Sequence, residues 1–300
     1  MPPTDTIDQQ FNLRLQQLAQ TVENTIENYL ARDPNIPVKL CQAIRYSIQA
    51  GGKRLRPIIV ILSCQASSGT QQNALPAAAA IEMIHTYSLI HDDLPAMDDD
   101  DYRRGKPSNH KVFGEGIAIL AGDSLLTLAF NVLAANIPNT TLVRDLIQEL
   151  SHAAGASGMI GGQVEDLLGA NTPQTLEKVE LIHQCKTAML IRAAARMGGL
   201  CAQTTANKLD KLGEFGLKLG LAFQITDDLL DITSTLQEMG KPTQKDHKAG
   251  KLTYPSVVGV DKARQQAKIL IDQALHELEE LGAAAEPLRQ LARMITERRK

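Results

Sequence analysis

Apolar residues recur at three- and four-residue intervals along almost all of this 300-residue chain, and that period belongs to the α-helix. Leu13, Leu15, Leu18, Val22, Ile26, Tyr29 and Leu30 make the first such face, which Pro34 and Pro37 close. Further helices are expected at 44–49, ended by Gly51-Gly52, then from Pro57 onward, and at 74–94, where Pro95 breaks the pattern. The spacing continues at 115–136, 141–157, 174–202, 205–236, 254–258, 262–281 and 285–298. Only 57–62 could pass for a strand, and one strand cannot make a sheet. The expected fold class is therefore all-α. Residues 1–300 are read as a single domain, since no repeat or low-complexity linker divides them. Residues 236–253, rich in Gly, Lys and Pro, read as a long functional loop.

Hydrophobic residues make up 43% of the chain and charged residues 22%, enough apolar material for a real core and too much for intrinsic disorder. With 3% aromatic residues and no Trp, a stacking platform for single-stranded nucleic acid is not expected. A net charge of −3 likewise argues against nucleic acid as a partner. Cys41, Cys64, Cys185 and Cys201 are far apart and lack zinc spacing, which fits free thiols in a reducing cytoplasm. Asp5 and Asp8 stand where a signal peptide would need basic residues. The apolar stretch 57–64 is too short to span a bilayer, and Asp123 and Asn131 interrupt 116–137. The expectation is a soluble, cytoplasmic protein without a transmembrane segment.

Where chemistry should sit is marked by acid. His91-Asp92-Asp93-Leu94-Pro95-Ala96-Met97-Asp98-Asp99-Asp100-Asp101 packs six Asp into ten residues at the C-terminal end of an apolar helix. That helix end already carries partial negative charge, so the cluster needs cations to offset it. Arg103, Arg104 and Lys106 follow but leave the segment acidic. Taken alone, it reads either as a solvated acidic loop or as a site for hard divalent cations. A second cluster shifts the balance. Gln224, Asp227, Asp228 and Asp231 stand at i, i+3, i+4 and i+7, sharing one helix face. Leu221, Phe223, Ile225, Leu229, Leu230 and Ile232 flank them, so a fully exposed stripe does not fit. Burying unpaired carboxylates is costly, and metal coordination resolves the conflict.

Magnesium held by a few carboxylates takes its remaining ligands from water and substrate phosphates, and phosphates in turn need cations. Lys53, Arg54 and Arg56 lie in the turn Gly51-Gly52-Lys53-Arg54-Leu55-Arg56-Pro57. His85 precedes Asp92, Arg103 and Arg104 follow the first cluster, and Lys186, Lys241 and Lys251 lie near polar breaks or in the long loop. Each alone reads as a surface charge; together they outline two anion sites, one on metal and one on bare cations. No P-loop, dinucleotide fingerprint, nucleophile elbow or HExxH spacing is present. What remains is metal-assisted departure of a phosphate leaving group.

These motifs, in this order, resemble those of the bacterial short-chain trans-prenyltransferases, and most of all the farnesyl diphosphate synthases. The likeness runs from GGKRLRP through HDDLPAMDDDDYRRGKPSNH, GMIGGQVEDL and Lys186-Thr187 to FQITDDLLD and GKLTYP. It implies an all-α bundle around a central cavity, usually a homodimer, acting on small-molecule diphosphates. Three Mg²⁺ ions are implied, held by Asp92 and Asp98 on one wall and by Asp227, with Asp228 or Asp231, on the other. Arg103, Lys186 and Lys241 would grip the allylic diphosphate. Lys53, Arg56, His85 and Arg104 would hold isopentenyl diphosphate without metal. Thr187 and Gln224 would line the allylic cation, and Lys251, Arg298, Arg299 and Lys300 are further candidates to close over the site. An aromatic residue five positions before the first aspartate goes, in the family, with a C15 product. Tyr87 occupies that position, with Ser88 beside it. A C20 synthase is the alternative. A terpene cyclase would not need the metal-free diphosphate site, and a non-catalytic partner would show degraded aspartate motifs.

Overall fold

The computed structural model describes residues 4–169, 173–233 and 252–296. Helices dominate them, as the periodicity predicts. α1 (Thr4–Ala31), α2 (Val38–Ile48), α3 (Leu55–Ala66) and α4 (Gln71–Asp92) come first. Then follow α5 (Asn109–Phe113), α6 (Glu115–Asn136), α7 (Thr140–Ala154), α8 (Met159–Gly169) and α9 (Leu176–Ile182). α10 (Met189–Cys201), α11 (Ala206–Thr233), α12 (Tyr254–Val258), α13 (Val260–Glu277) and α14 (Glu286–Thr296) complete the set. Pro37 stands at the N-cap of α2, so that helix begins six residues before the expected 44. Thr70 caps α4 by accepting from the Asn73 N–H at 3.3 Å.

Three local expectations need correction. A two-residue antiparallel ribbon pairs Tyr102–Arg103 (β1) with Lys106–Pro107 (β2) directly after the acidic turn, where only loop was anticipated. α8 was not anticipated, because its glycines and its outward Ile160, Val164, Leu167 and Leu168 obscure the usual inward pattern. The expected continuous helix over 174–202 is instead interrupted by a π-helical segment, His183–Ala188.

α3 lies at the centre. Ile58, Ile59, Val60, Ile61 and Leu62 are all buried, as befits a helix apolar on every side. It packs on α4 and α10, α4 packs on α6, and α10 packs on α11. Gly198 lets α10 close onto α3, since a Cβ there would lie 2.3 Å from the Val60 carbonyl oxygen. The contiguous core runs from Phe11 to Ile295. α3 is launched by Arg54, which adopts a left-handed φ of 46° with its guanidinium fully buried. It pays for both with ion pairs to Glu82 at 2.6 Å and Glu23 at 2.9 Å.

Candidate active site

The C-terminal end of α4 forms one wall. The Asp98 N–H donates to the Asp92 carbonyl at 2.9 Å and the Asp100 N–H to the Asp93 carbonyl at 3.2 Å, folding the acidic turn back over the helix end. Asp92 remains half-buried, and burial pushes its carboxyl up to about 6; Lys186 opposes that shift, while Asp98 adds to it. Asp93 is buried and accepts from Arg103 Nε at 2.9 Å, with Asp100 3.4 Å from the same guanidinium. Arg103 is thus engaged in holding the acidic turn.

α11 forms the facing wall with Gln224, Asp227, Asp228 and Asp231. Asp231 keeps one buried oxygen, Oδ2, with no hydrogen-bond partner. An orphaned carboxylate oxygen is costly in a protein interior and suits a cation. Asp227 is close enough to Arg56 to favour its charged form. Asp228 is different in kind. Its carboxylate is 5% exposed and accepts from the Tyr254 N–H at 2.8 Å, His183 Nε2 at 3.1 Å and Gln224 Nε2 at 3.2 Å.

The π-helical segment supplies the third side. Widening the helix there re-aims Lys186 and Thr187 relative to a continuous α-helix. Lys186 Nζ donates to Asp166 of α8 at 2.6 Å, and Thr187 donates to Gln224 Oε1 at 2.8 Å. α8 reaches this segment through Gly162, where a Cβ would lie 2.2 Å from the Lys186 backbone nitrogen. Asp166, Ile182, His183, Lys186, Thr187 and Gln224 line a cavity of about 90 Å³ that Asp228, Leu252 and Thr253 complete.

Beside the two acidic walls lies a cationic region. Arg56 keeps a buried Nε with no partner, and burial lowers its guanidinium to about 10 despite Glu82 and Asp227. Burial also holds His85 well below its usual value, and Arg56, Arg104, Arg54 and Arg103 push it the same way. Arg54 is neutralised by its glutamates and Arg103 by Asp93, whereas Arg104 bonds the Gly51 carbonyl. Lys53 is exposed. A buried, incompletely compensated set of cations around a neutral imidazole suits a polyanionic ligand.

The structure therefore brings Asp92, Asp98, Asp227, Asp231, Lys186, Thr187 and Gln224 to one region and sets Arg56, His85 and Arg104 beside it. Lys241, Lys251, Arg298, Arg299 and Lys300 lie outside the described residues. The two acidic walls do not form a closed cage. Among the described residues, the group of possible ligands within 4.8 Å of one another is Asp99, Asp101 and His110, at the rim, and Asp101 pairs there with Lys111 at 2.7 Å. Magnesium that completes its shell with water and phosphate needs no such cage. Sequence reasoning missed Asp166, His183 and Tyr254. The hints available were the four-residue step from Gln224 to Asp228 and the stretches GMIGGQVEDL and GKLTYP, which contain Asp166 and Tyr254.

Tyr87 sits one and a half turns below Asp92 on α4, 5% exposed, with a buried hydroxyl that has no partner. Burial, with Asp92 adding, pushes that phenol up to about 12. Its ring meets His91 edge-on, with centroids 5.7 Å apart. Ser88 turns its hydroxyl back to the His85 carbonyl at 2.9 Å.

Comparison with known proteins decides the class. The polyprenyl synthetase family model matches residues 37–290. The chain belongs to the polyprenyl synthetase family. A farnesyl diphosphate synthase of Geobacillus stearothermophilus is 44% identical over 268 residues, 88% of this chain and 90% of the relative. A geranylgeranyl diphosphate synthase of Cyanophora paradoxa is also 44% identical, over 96% of this chain and 97% of the relative. Among solved structures, an FPP/GFPP synthase of Zymomonas mobilis superposes with a TM-score of 0.85 at 37% identity, covering 96% of this chain and 99% of that one. As a polyprenyl synthetase with the all-α isoprenoid synthase fold, the protein is a trans-prenyltransferase of isoprenoid biosynthesis. Diphosphate substrates and the Mg²⁺ that this family uses both fit its residues.

Proposed function

We propose that the protein is a farnesyl diphosphate synthase that extends dimethylallyl and geranyl diphosphate with isopentenyl diphosphate. The observation that carries the C15 reading is Tyr87, a buried ring below the end of α4 that carries Asp92. A growing prenyl tail that descends from the acidic walls meets that ring early.

Asp92 and Asp98 would hold magnesium on one wall and Asp227 and Asp231 on the other, three ions in all. Bound magnesium supplies charge neutralisation that makes the allylic diphosphate a good leaving group. Lys186 and Arg103 grip the same diphosphate. Arg56, His85, Arg104 and Lys53 bind the diphosphate of isopentenyl diphosphate, and the neutral His85 ring can accept or donate without adding charge. The allylic C1–O bond breaks with its electron pair leaving on diphosphate. The isopentenyl double bond then forms the new C–C bond, and the proton lost from the adjacent carbon goes to the released diphosphate. Thr187 and Gln224 line the cationic carbon and present oxygen to it.

The binding half of this reading has a direct kinetic consequence. Arg56→Ala should raise the KM for isopentenyl diphosphate by roughly 10- to 100-fold, the worth of a charge-assisted hydrogen bond. The KM for the allylic substrate should stay within about twofold; steady-state kinetics with each substrate varied in turn checks the split. A selective loss of allylic affinity would contradict the two-site division.

The C15 assignment is tested by product analysis. Wild type with Mg²⁺, isopentenyl and dimethylallyl diphosphate should yield mainly C15 alcohol after dephosphorylation, and Tyr87→Ala should shift the product to C20 or longer. A wild-type C20 product would favour geranylgeranyl diphosphate synthesis, the activity named for the Cyanophora relative. A cytoplasmic homodimer belongs to the same proposal. Its support is the set of free cysteines and the apolar α6, which leaves Ile119 and Leu120 exposed. Among the described residues α6 is the one helix long and apolar enough to cross a membrane, yet it buries Ala118, Ala121, Leu125, Ala129, Val132 and Leu133.

A further inference from the structure

We infer that His183 is a positioning residue that fixes, through Asp228, the polarity of the Gln224–Thr187 pair facing the reacting carbon. This rests on the reading above that Thr187 and Gln224 line the allylic cation. None of the sequence motifs points to His183, which is 4% exposed at the start of the π-helical segment.

The argument follows from which atoms can donate. Asp228 is an acceptor, and its Oδ2 is occupied by the Tyr254 N–H at 2.8 Å and His183 Nε2 at 3.1 Å. His183 therefore carries its donated proton on Nε2, and its Nδ1 is enclosed without a partner. The imidazole is itself held in plane by the Tyr254 ring, stacked at 6.0 Å and 24°. Oδ1 of Asp228 is left for Gln224, 3.2 Å away. A carboxylate can only accept, so the amide must turn its nitrogen to Asp228 and its oxygen outward. Thr187, at 2.8 Å from that oxygen, then spends its single hydroxyl proton on Gln224. What Thr187 has left for the cavity is lone pairs.

The consequence is electrostatic. Both the amide oxygen of Gln224 and the hydroxyl oxygen of Thr187 present their negative ends, and no proton, toward the place where positive charge develops. Dipoles fixed in advance cost no reorganisation in the transition state. If Asp228 could rotate, the amide could flip. Thr187 would then face an N–H and have to accept, turning its own proton toward the cation. His183 and the Tyr254 backbone remove that freedom by pinning the carboxylate from the far side.

A double-mutant cycle in the full-length protein tests this. His183→Phe keeps the ring on Tyr254 and removes the donor. Its kcat for condensation of geranyl with isopentenyl diphosphate should fall roughly 10- to 100-fold, as losing an orienting partner does at other sites. The KM values and the Mg²⁺ half-saturation should stay within about twofold. Because His183 acts through the Gln224–Thr187 pair, adding His183→Phe to Thr187→Val should cost less than His183→Phe alone costs the wild type. His183→Gln, which can still donate to Asp228, should recover most of the rate. Asp228→Asn provides an isosteric second route: with its oxygen held by Tyr254 and His183 it turns an NH2 toward Gln224, which reverses the amide and should lower kcat with the same non-additivity. Losses that multiply, or a His183→Phe variant at full rate, would overturn the inference. So would a raised Mg²⁺ requirement, which would put Asp228 on the metal side. A Thr187→Val enzyme at full speed would instead sink the underlying assignment of Thr187 to the cation.

Discussion

Asp227→Ala and Asp92→Ala are each expected to lower kcat by about a thousandfold or more, the scale of losing a central transition-state electrostatic contact, while the helical fold persists. Asp227 lies within electrostatic reach of Arg56 and one turn from Asp231, whose Oδ2 is orphaned. Asp92 is held up at about 6 by burial, with Asp98 adding to the shift. Clustered carboxylates that repel one another and are starved of water destabilise the folded protein near neutral pH. Removing either should therefore leave stability unchanged or improved while activity collapses. Circular dichroism alongside single-turnover kinetics would check both halves, and near-normal turnover in either variant would refute the metal assignment. The raised Asp92 carboxyl adds a pH signature. Proton and metal compete for it, so the Mg²⁺ half-saturation should rise about tenfold for each pH unit below 6.

The second large effect concerns stability. Glu82→Ala leaves the Arg54 guanidinium, whose side chain has no exposure, with the Ile48 carbonyl and, as its remaining ion-pair partner among the described residues, the partly exposed Glu23. An uncompensated buried charge costs about 3–5 kcal/mol, and urea denaturation should register a loss of that size. The strain at Arg54, which has a φ of 46°, deepens the dependence, because the ion pairs help hold the backbone turn that starts α3. The double replacement Arg54→Met/Glu82→Leu should recover most of the stability, since removing both charges removes the desolvation problem.

These two sites show where sequence and structure part. The carboxylates of α4 and α11 were legible because acid on an apolar helix conflicts with burial, and the conflict appears in spacing alone. Arg54 was not: in the turn from Gly51 to Pro57 it looks no different from Lys53 and Arg56. The structure turns it inward to Glu82, 28 residues away, a pairing no local pattern encodes. The π-helical segment escaped for a related reason. The apolar period over 174–202 is continuous, and one wide turn changes the direction of Lys186 and Thr187 without altering composition. α8 was hidden because its apolar residues face outward. His183 stands at no motif spacing, since its partner Asp228 lies on another helix. Local conflicts are readable; pairings across the bundle are not.

One last consequence comes from α4. Asp92 and Tyr87 belong to the same helix, so in the C15 reading proposed above the point where a prenyl chain starts and the point where it stops are fixed by a single ruler. Five residues at 1.5 Å each separate them by about 7.5 Å along the axis. Thermal breathing of the surrounding helices can widen or narrow the space around that ruler without changing its graduation. In such a device fidelity of product length does not require a rigid enzyme. The bundle can loosen to admit substrate and release product, and the measure travels with the helix.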